Sequence, residues 1–149
     1  MKIGSTTMPK LIVLRGLPGA GKSVYAAQLV MKGFKRVSVN ELSTMMSNTC
    51  NILADDPIAI DAMQAIVLNS LQYGYDTVID STNFERYTAK FAAAVARETK
   101  STLEFIDIDT PLDVCISRDL ARDSGRVGKD VIMYMYEEFF TNGKFPEVP

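Results

Sequence analysis

Four strand-like segments divide this chain: LIVL at 11–14, RVSV at 36–39, TVID at 77–80 and LEFIDI at 103–108. The first is continuously apolar, the pattern of a strand buried on both faces of a sheet. Helical patterns lie between and after them. One starts near Gly21 and ends by Gly33, a C-cap glycine. Glu41–Asn48 reads as a short helix, followed by a loop that holds Asp55 and Asp56. From Pro57 to about Tyr73, Ile60, Met63, Ile66, Val67 and Leu71 recur at helical spacing, and Gly74 stops them. Glu85–Thr99 is alanine-rich and helical. Pro111 opens a further helix as an N1 proline, running through VCISRDLAR. The glycine-containing loop DSGRVGK precedes a last helix at Asp130–Phe140, and the tail NGKFPEVP is non-helical. This alternation predicts a single α/β domain over 1–149, a parallel sheet of about four strands with helices on both faces. Residues 1–8 are expected to be flexible.

Composition narrows the class. At 149 residues the chain suffices for one sizeable core, and 47% apolar against 23% charged residues is the balance of a globular protein. No apolar run approaches the roughly 20 residues that cross a bilayer, and the N-terminus has no apolar signal core. Cys50 and Cys115 are far apart in sequence and read as reduced thiols of a cytoplasmic protein. The net charge of −2 argues against extensive gripping of a nucleic-acid backbone, although a local basic patch can still hold one nucleotide or a strand end. With no histidine in the chain, proton transfer falls to a carboxylate, a lysine, a tyrosine or water.

Three clusters carry candidate chemistry. Residues 16–23 read GLPGAGKS, which satisfies GxxxxGK[ST] between a strand and a helix. Gly16, Pro18, Gly19, Ala20 and Gly21 form an anion nest at a helix N-terminus that continues through Val24. Lys22 neutralises β/γ-phosphate charge and the Ser23 hydroxyl ligates Mg²⁺, so the octet holds a nucleotide polyphosphate. The second cluster is VIDSTNFER at 78–86. Asp80, at a strand's C-terminal end, binds Mg²⁺ through water or caps the next turn. Ser81, Thr82 and Asn83 suit phosphate or acceptor, and equally suit a turn capping the helix at Glu85. The third is Arg118, Arg122 and Arg126. The first two share a helical face at i, i+4, and the segment 118–130 reads as a lid over the transferring phosphate. The competing reading is a solvated face paired with Asp119 and Asp123.

The order GxPGxGKS, VSxxEL, [IV]DSTN, PLxVCxxRDxAR, a VG loop and a terminal helix resembles the polynucleotide 5′-hydroxyl kinases. The likeness is to small phage-type P-loop kinases and the kinase domains of end-healing repair enzymes, over roughly residues 9–142. The resemblance implies a P-loop kinase fold and an ATP-dependent transfer to a nucleic-acid hydroxyl. It makes Lys22 and Ser23 the phosphate lysine and metal hydroxyl. Asp80, Thr82 and Asn83 become the element near the acceptor, and Arg118 and Arg122 the lid arginines that contact donor phosphates. Val127, Gly128 and Val131 fall where the adenine is loosely contacted. The implied partners are a nucleic-acid end or single nucleotide, with a homo-oligomer or partner end-processing proteins as further associations and no membrane. The implied location is the cytoplasm, that of the host for a phage protein.

One stretch departs from the family. VSVNELSTMM at 37–46 places Asn40 where the family has its proton-accepting aspartate, and Ser43 where an arginine grips the acceptor phosphate. An amide is no general base, and a serine cannot form a bidentate phosphate pair. Glu41, Asp55 and Asp56 are the candidate substitutes, although a helix starting at Asn40 would turn Glu41 about 100° away from it. Three readings remain: a kinase for a 5′-OH end or a hydroxymethyl-pyrimidine of phage DNA, a kinase for a nucleoside or small metabolite, and a catalytically weakened ATP-binding protein.

Overall fold

The computed structural model describes residues 8–47 and 56–148. Asn48, Cys50, Asp55 and the first seven residues lie outside the described set. The elements run β1 (Lys10–Arg15), α1 (Lys22–Met31), β2 (Lys35–Val37), α2 (Val39–Ser47), α3 (Pro57–Gln72), β3 (Thr77–Asp80), α4 (Arg86–Thr99), β4 (Thr102–Asp107), α5 (Leu112–Leu120) and α6 (Lys129–Phe139). The four strands form one parallel sheet in the order β2-β3-β1-β4. Leu11–Leu14, the continuous apolar run, lies in the interior strand β1 and is almost wholly buried. In the register, Leu14 pairs with Asp80 of β3 and Arg15 with Asp107 of β4. The C-terminal ends of three strands therefore meet at one edge, where α/β sheets bind ligands.

Both faces are covered, as a parallel sheet requires. Ile12, Leu14 and Val78 pack against Ala26 and Leu29 of α1. On the other face, Leu11, Val13, Val37 and Ile79 meet Met63, Val67 and Leu71 of α3 and Ala92 and Val95 of α4. The buried stripe of α3 is Ala59, Met63, Val67 and Leu71, one residue per turn, whereas Ile66 is 37% exposed. Burying each of the larger side chains contributes about 1.5–3 kcal/mol. A third cluster joins α5 and α6 to the loop after β1, through Leu17, Ala20, Phe84, Cys115, Ile132 and Met135.

Some boundaries differ from the sequence expectations, each for a local reason. The second strand stops at Val37 instead of Val39, because Ser38 caps α2: its carbonyl accepts Leu42 N–H at 3.0 Å and its hydroxyl accepts Glu41 N–H at 3.3 Å. Pro111 is the N-cap residue of α5, not N1, and its carbonyl accepts Cys115 N–H at 3.0 Å. Among the described residues no helix is long and apolar enough to cross a membrane.

Candidate functional site: a phosphate cradle and its cleft

The octet after β1 folds into a tight loop because two glycines take left-handed backbone, Gly19 at φ +84° and Gly21 at φ +105°. Space demands glycine at the first as well: a Cβ on Gly19 would sit 2.4 Å from the Cys115 carbonyl oxygen. Helix α5 is thus pressed onto the loop. Thr110 Oγ1 reinforces the contact by donating to Ala20 O at 2.7 Å, and Arg118 Nη1 donates to the same carbonyl at 3.3 Å. The first turn of α1 has no side-chain cap, so its amides and helix dipole face the loop as an anion site.

Lys22 reaches back across this loop. Its Nζ donates to Gly16 O at 2.8 Å and Leu17 O at 2.9 Å. Burial pushes its pKa down to about 8, against the opposing pull of Asp80. A buried ammonium hydrogen-bonded to carbonyls is matched to an incoming polyanion.

Asp80 links the phosphate loop to β2 across the cleft. Its Oδ2 accepts Ser23 Oγ at 3.2 Å and Arg36 Nε at 2.7 Å, and pairs with Arg36 Nη2 at 2.6 Å. The same guanidinium donates to both carboxylate oxygens of Glu41, at 2.7 and 3.1 Å. A continuous chain, Ser23–Asp80–Arg36–Glu41, results. Arg36 was not singled out in the sequence, since its partners lie 5 and 44 positions away.

The arginine segment is anchored by Asp119, which is buried and not part of a solvated face. Its Oδ1 accepts Val127 N–H at 2.9 Å and its Oδ2 accepts Gly128 N–H at 3.0 Å. That ties the end of α5 to the start of α6. Helix α5 ends at Leu120, so Arg122 does not share its face with Arg118 as the spacing implied; Arg122 N–H bonds back to Asp119 O at 3.2 Å in a tighter turn. Both arginines nevertheless line the same cleft.

That cleft has a volume of about 920 Å³ and brings together Pro18, Gly19, Gly21, Lys22, Ser23, Val24, Asn40, Glu41, Asp80, Thr82, Arg118, Arg122 and Val127. Glu41 lines it beside Asn40 after all, drawn in by Arg36 although the two are consecutive in α2. Gly16 and Ala20 shape the loop from behind, and Gly128 serves as the N-cap of α6. Ser43 does not reach the cleft. Its Oγ donates to Asp56 at 3.0 Å in a side cavity of about 230 Å³. Asn83 also faces that cavity, but its Nδ2 donates to Leu14 O at 2.6 Å and Ile79 O at 3.1 Å. Its amide protons stitch β1 to β3.

The loop, the sheet order and the arginine-bearing segment define a P-loop kinase-like domain. The family model of the AAA domain matches residues 11–140, and the chain belongs to that family. Solved structures share the fold. A chain of the Pnkp1/Rnl/Hen1 RNA repair complex superposes with a TM-score of 0.70 at 22% identity, covering 100% of this chain and 50% of that one. The APS kinase CysC of Mycobacterium tuberculosis, in complex with AMPPNP and APS, gives 0.59 at 20% identity over 76% of this chain and 70% of that one. A gluconokinase of Sinorhizobium meliloti gives 0.58 at 16% identity over 90% and 77%. The present chain spans about half the length of the RNA repair chain it matches.

Proposed function

We propose that this protein is an ATP-dependent kinase that transfers the γ-phosphate to a hydroxyl of a nucleic acid. The observation that carries this reading is the single cleft in which the phosphate cradle, Lys22 and Ser23, faces Asn40, Glu41 and Thr82 across Asp80. In the transfer, the acceptor oxygen bonds to the γ-phosphorus as the bond to the β,γ-bridging oxygen breaks. ADP leaves, and the hydroxyl proton passes to a carboxylate or to water. Lys22, Arg118 and Arg122 stabilise charge on the transferring group, which supplies most of the catalysis in this class.

The donor set suits a polyphosphate-bound Mg²⁺. Among the described residues no cluster of three or more His, Cys, Asp and Glu could hold a metal. Ser23 Oγ and Asp80 instead offer a hydroxyl and a carboxylate side by side, leaving the other positions to phosphate oxygens and water. An ion held by Ser23 and Asp80 would supply neutralisation of phosphate charge.

The motif order speaks for a polynucleotide 5′-OH end as acceptor, in company with end-processing partners. A second acceptor, the hydroxymethyl group of a modified pyrimidine, is favoured by Asn40 and Ser43, where the family's base and phosphate-gripping arginine stand. Glu41 is the carboxylate nearest in sequence to Asn40, and both of its oxygens accept from Arg36. The test is incubation with labelled ATP, Mg²⁺ and a panel of 5′-OH DNA, 5′-OH RNA, hydroxymethylated duplex and nucleosides. Label is expected in a nucleic-acid hydroxyl and lost in Lys22→Ala. No transfer to any acceptor, with ATP binding intact, would instead mean a nucleotide-binding protein.

A further inference from the structure

Among the described residues four cations line the cleft: Lys22, Arg36, Arg118 and Arg122. Lys22 and Arg118 donate to carbonyls of the phosphate loop, and Arg122 donates to Gly125 O at 3.5 Å. Arg36 differs in origin and in partners. It stands in β2, where the parallel register sets it beside Val78, two residues before Asp80. Its guanidinium faces two carboxylates, those of Asp80 and Glu41.

The two ends of that bridge are unequal. The Asp80 side chain is 3% exposed and that of Glu41 is 66% exposed. Water can replace a lost partner at the exposed end and not at the buried one. At the buried end, Arg36 Nε at 2.7 Å and Nη2 at 2.6 Å converge on one atom, Asp80 Oδ2. The same oxygen accepts Ser23 Oγ at 3.2 Å. Two nitrogens of one rigid plane fix the carboxylate in place and in rotation. A lysine ammonium, a point charge on a flexible stem, cannot do this. Ser23 and Asp80 are also the hydroxyl and carboxylate that suit a polyphosphate-bound metal.

We infer that Arg36 is a positioning residue of the metal site, which pins Asp80 against the Ser23 hydroxyl and so sets how tightly the nucleotide-loaded cleft holds Mg²⁺. It acts through Asp80, and its contact with Glu41 carries little of that task. The inference rests on the phosphotransfer reading of the cleft. Simple charge predicts the opposite sign: a guanidinium beside a cation site repels the cation, and removing it would tighten Mg²⁺.

The test follows binding of a fluorescent, non-hydrolysable ATP analogue as Mg²⁺ is raised, and again in EDTA. Arg36→Lys keeps the charge and loses the fork. Its half-maximal Mg²⁺ concentration should rise at least about tenfold, as when the partner of a metal ligand is removed. Binding in EDTA, where no metal takes part, should match the parent. Arg36→Gln should also raise the Mg²⁺ requirement, against the sign that charge alone gives, and it stands in if circular dichroism shows the lysine variant unfolded. Glu41→Gln should shift the requirement by less than about fivefold, the most that an exposed pair contributes. With Asp80→Asn in place, Arg36→Lys should have no further effect. An Mg²⁺ requirement that stays level or falls in the Arg36 variants overturns the inference. If Tm drops while that requirement is unmoved, Arg36 is only a tie between β2 and β3. An undiminished effect beside Asp80→Asn, or an equal one from Glu41→Gln, overturns it too. A parent protein whose binding ignores Mg²⁺ overturns the donor reading as well, whereas a magnesium dependence that Arg36 does not move overturns this inference alone.

Discussion

Removing the Asp119 carboxylate should loosen the arginine segment while leaving the sheet intact. Asp119→Ala deletes two hydrogen bonds, to Val127 N–H at 2.9 Å and Gly128 N–H at 3.0 Å. A hydrogen bond to a charged group contributes about 1.5–3 kcal/mol. Gly128 is exposed, so water replaces part of one of them, and the net loss is about 3 kcal/mol. In a chain of this size each kcal/mol moves Tm by about 2–4 °C, which gives a fall of about 6–12 °C. The assay is a thermal melt followed by circular dichroism, with amide hydrogen exchange at Val127 and Gly128 as the local readout. Asp123→Ala is the control, since it removes the same charge from the same segment at an exposed position. Its Tm should stay within about 1–2 °C of the parent. If the two variants melt together, Asp119 is a surface charge like its neighbour, and the anchoring role assigned to it is wrong.

Gly19→Ala forces a Cβ to within 2.4 Å of Cys115 O at φ +84°. It should lower stability by about 2–5 kcal/mol and weaken ATP binding, read by urea unfolding and nucleotide titration. Arg122→Ala should cut turnover by about 10³ or more while Tm stays within about 1–2 °C; its side chain is 43% exposed. Melting without a specific rate loss would make Arg122 structural. Lys22 has its pKa lowered to about 8 in the free fold from 10.5. Between those values the unfolded chain binds more protons, so the nucleotide-free protein gains stability as pH rises through that window. A polyphosphate restores the charge, so ATP binding should take up a proton and weaken above about pH 8. Calorimetry in two buffers of different ionisation enthalpy measures the uptake. Asn40→Asp alone should change transfer to 5′-OH ends by less than about tenfold, because the phosphate grip is also missing; a rise of about 10² or more would show that only the base had been lost.

The donor end of the site was legible in the chain because it is local. Eight consecutive residues, GLPGAGKS, contain the left-handed glycines, the lysine and the hydroxyl, and the flanking strand and helix follow from short-range pattern. The adjacency of β3 to β1 places Asp80 within hydrogen-bond reach of Ser23, as a catalytic reading of both motifs requires.

The side cavity was decided by tertiary structure. Its walls come from α2, α3, α4 and α6 and from the turn after β3, and what each polar group does depends on partners far along the chain. Ser43 is spent on Asp56, 13 positions away, and Asn83 on Leu14, 69 positions away. Asp119 read as a solvated partner of the arginines; it does pair with Arg122 at 3.9 Å, but from a buried face of α5, which sequence spacing cannot tell from a wet one. Only packing against α6 turned it inward. Arg36 carried no motif at all, and its hold on both Asp80 and Glu41 arises where β2, α2 and β3 converge. A phosphate cradle is backbone geometry, which neighbouring residues dictate. The lining of the side cavity is assembled from residues that no contiguous stretch of the chain contains.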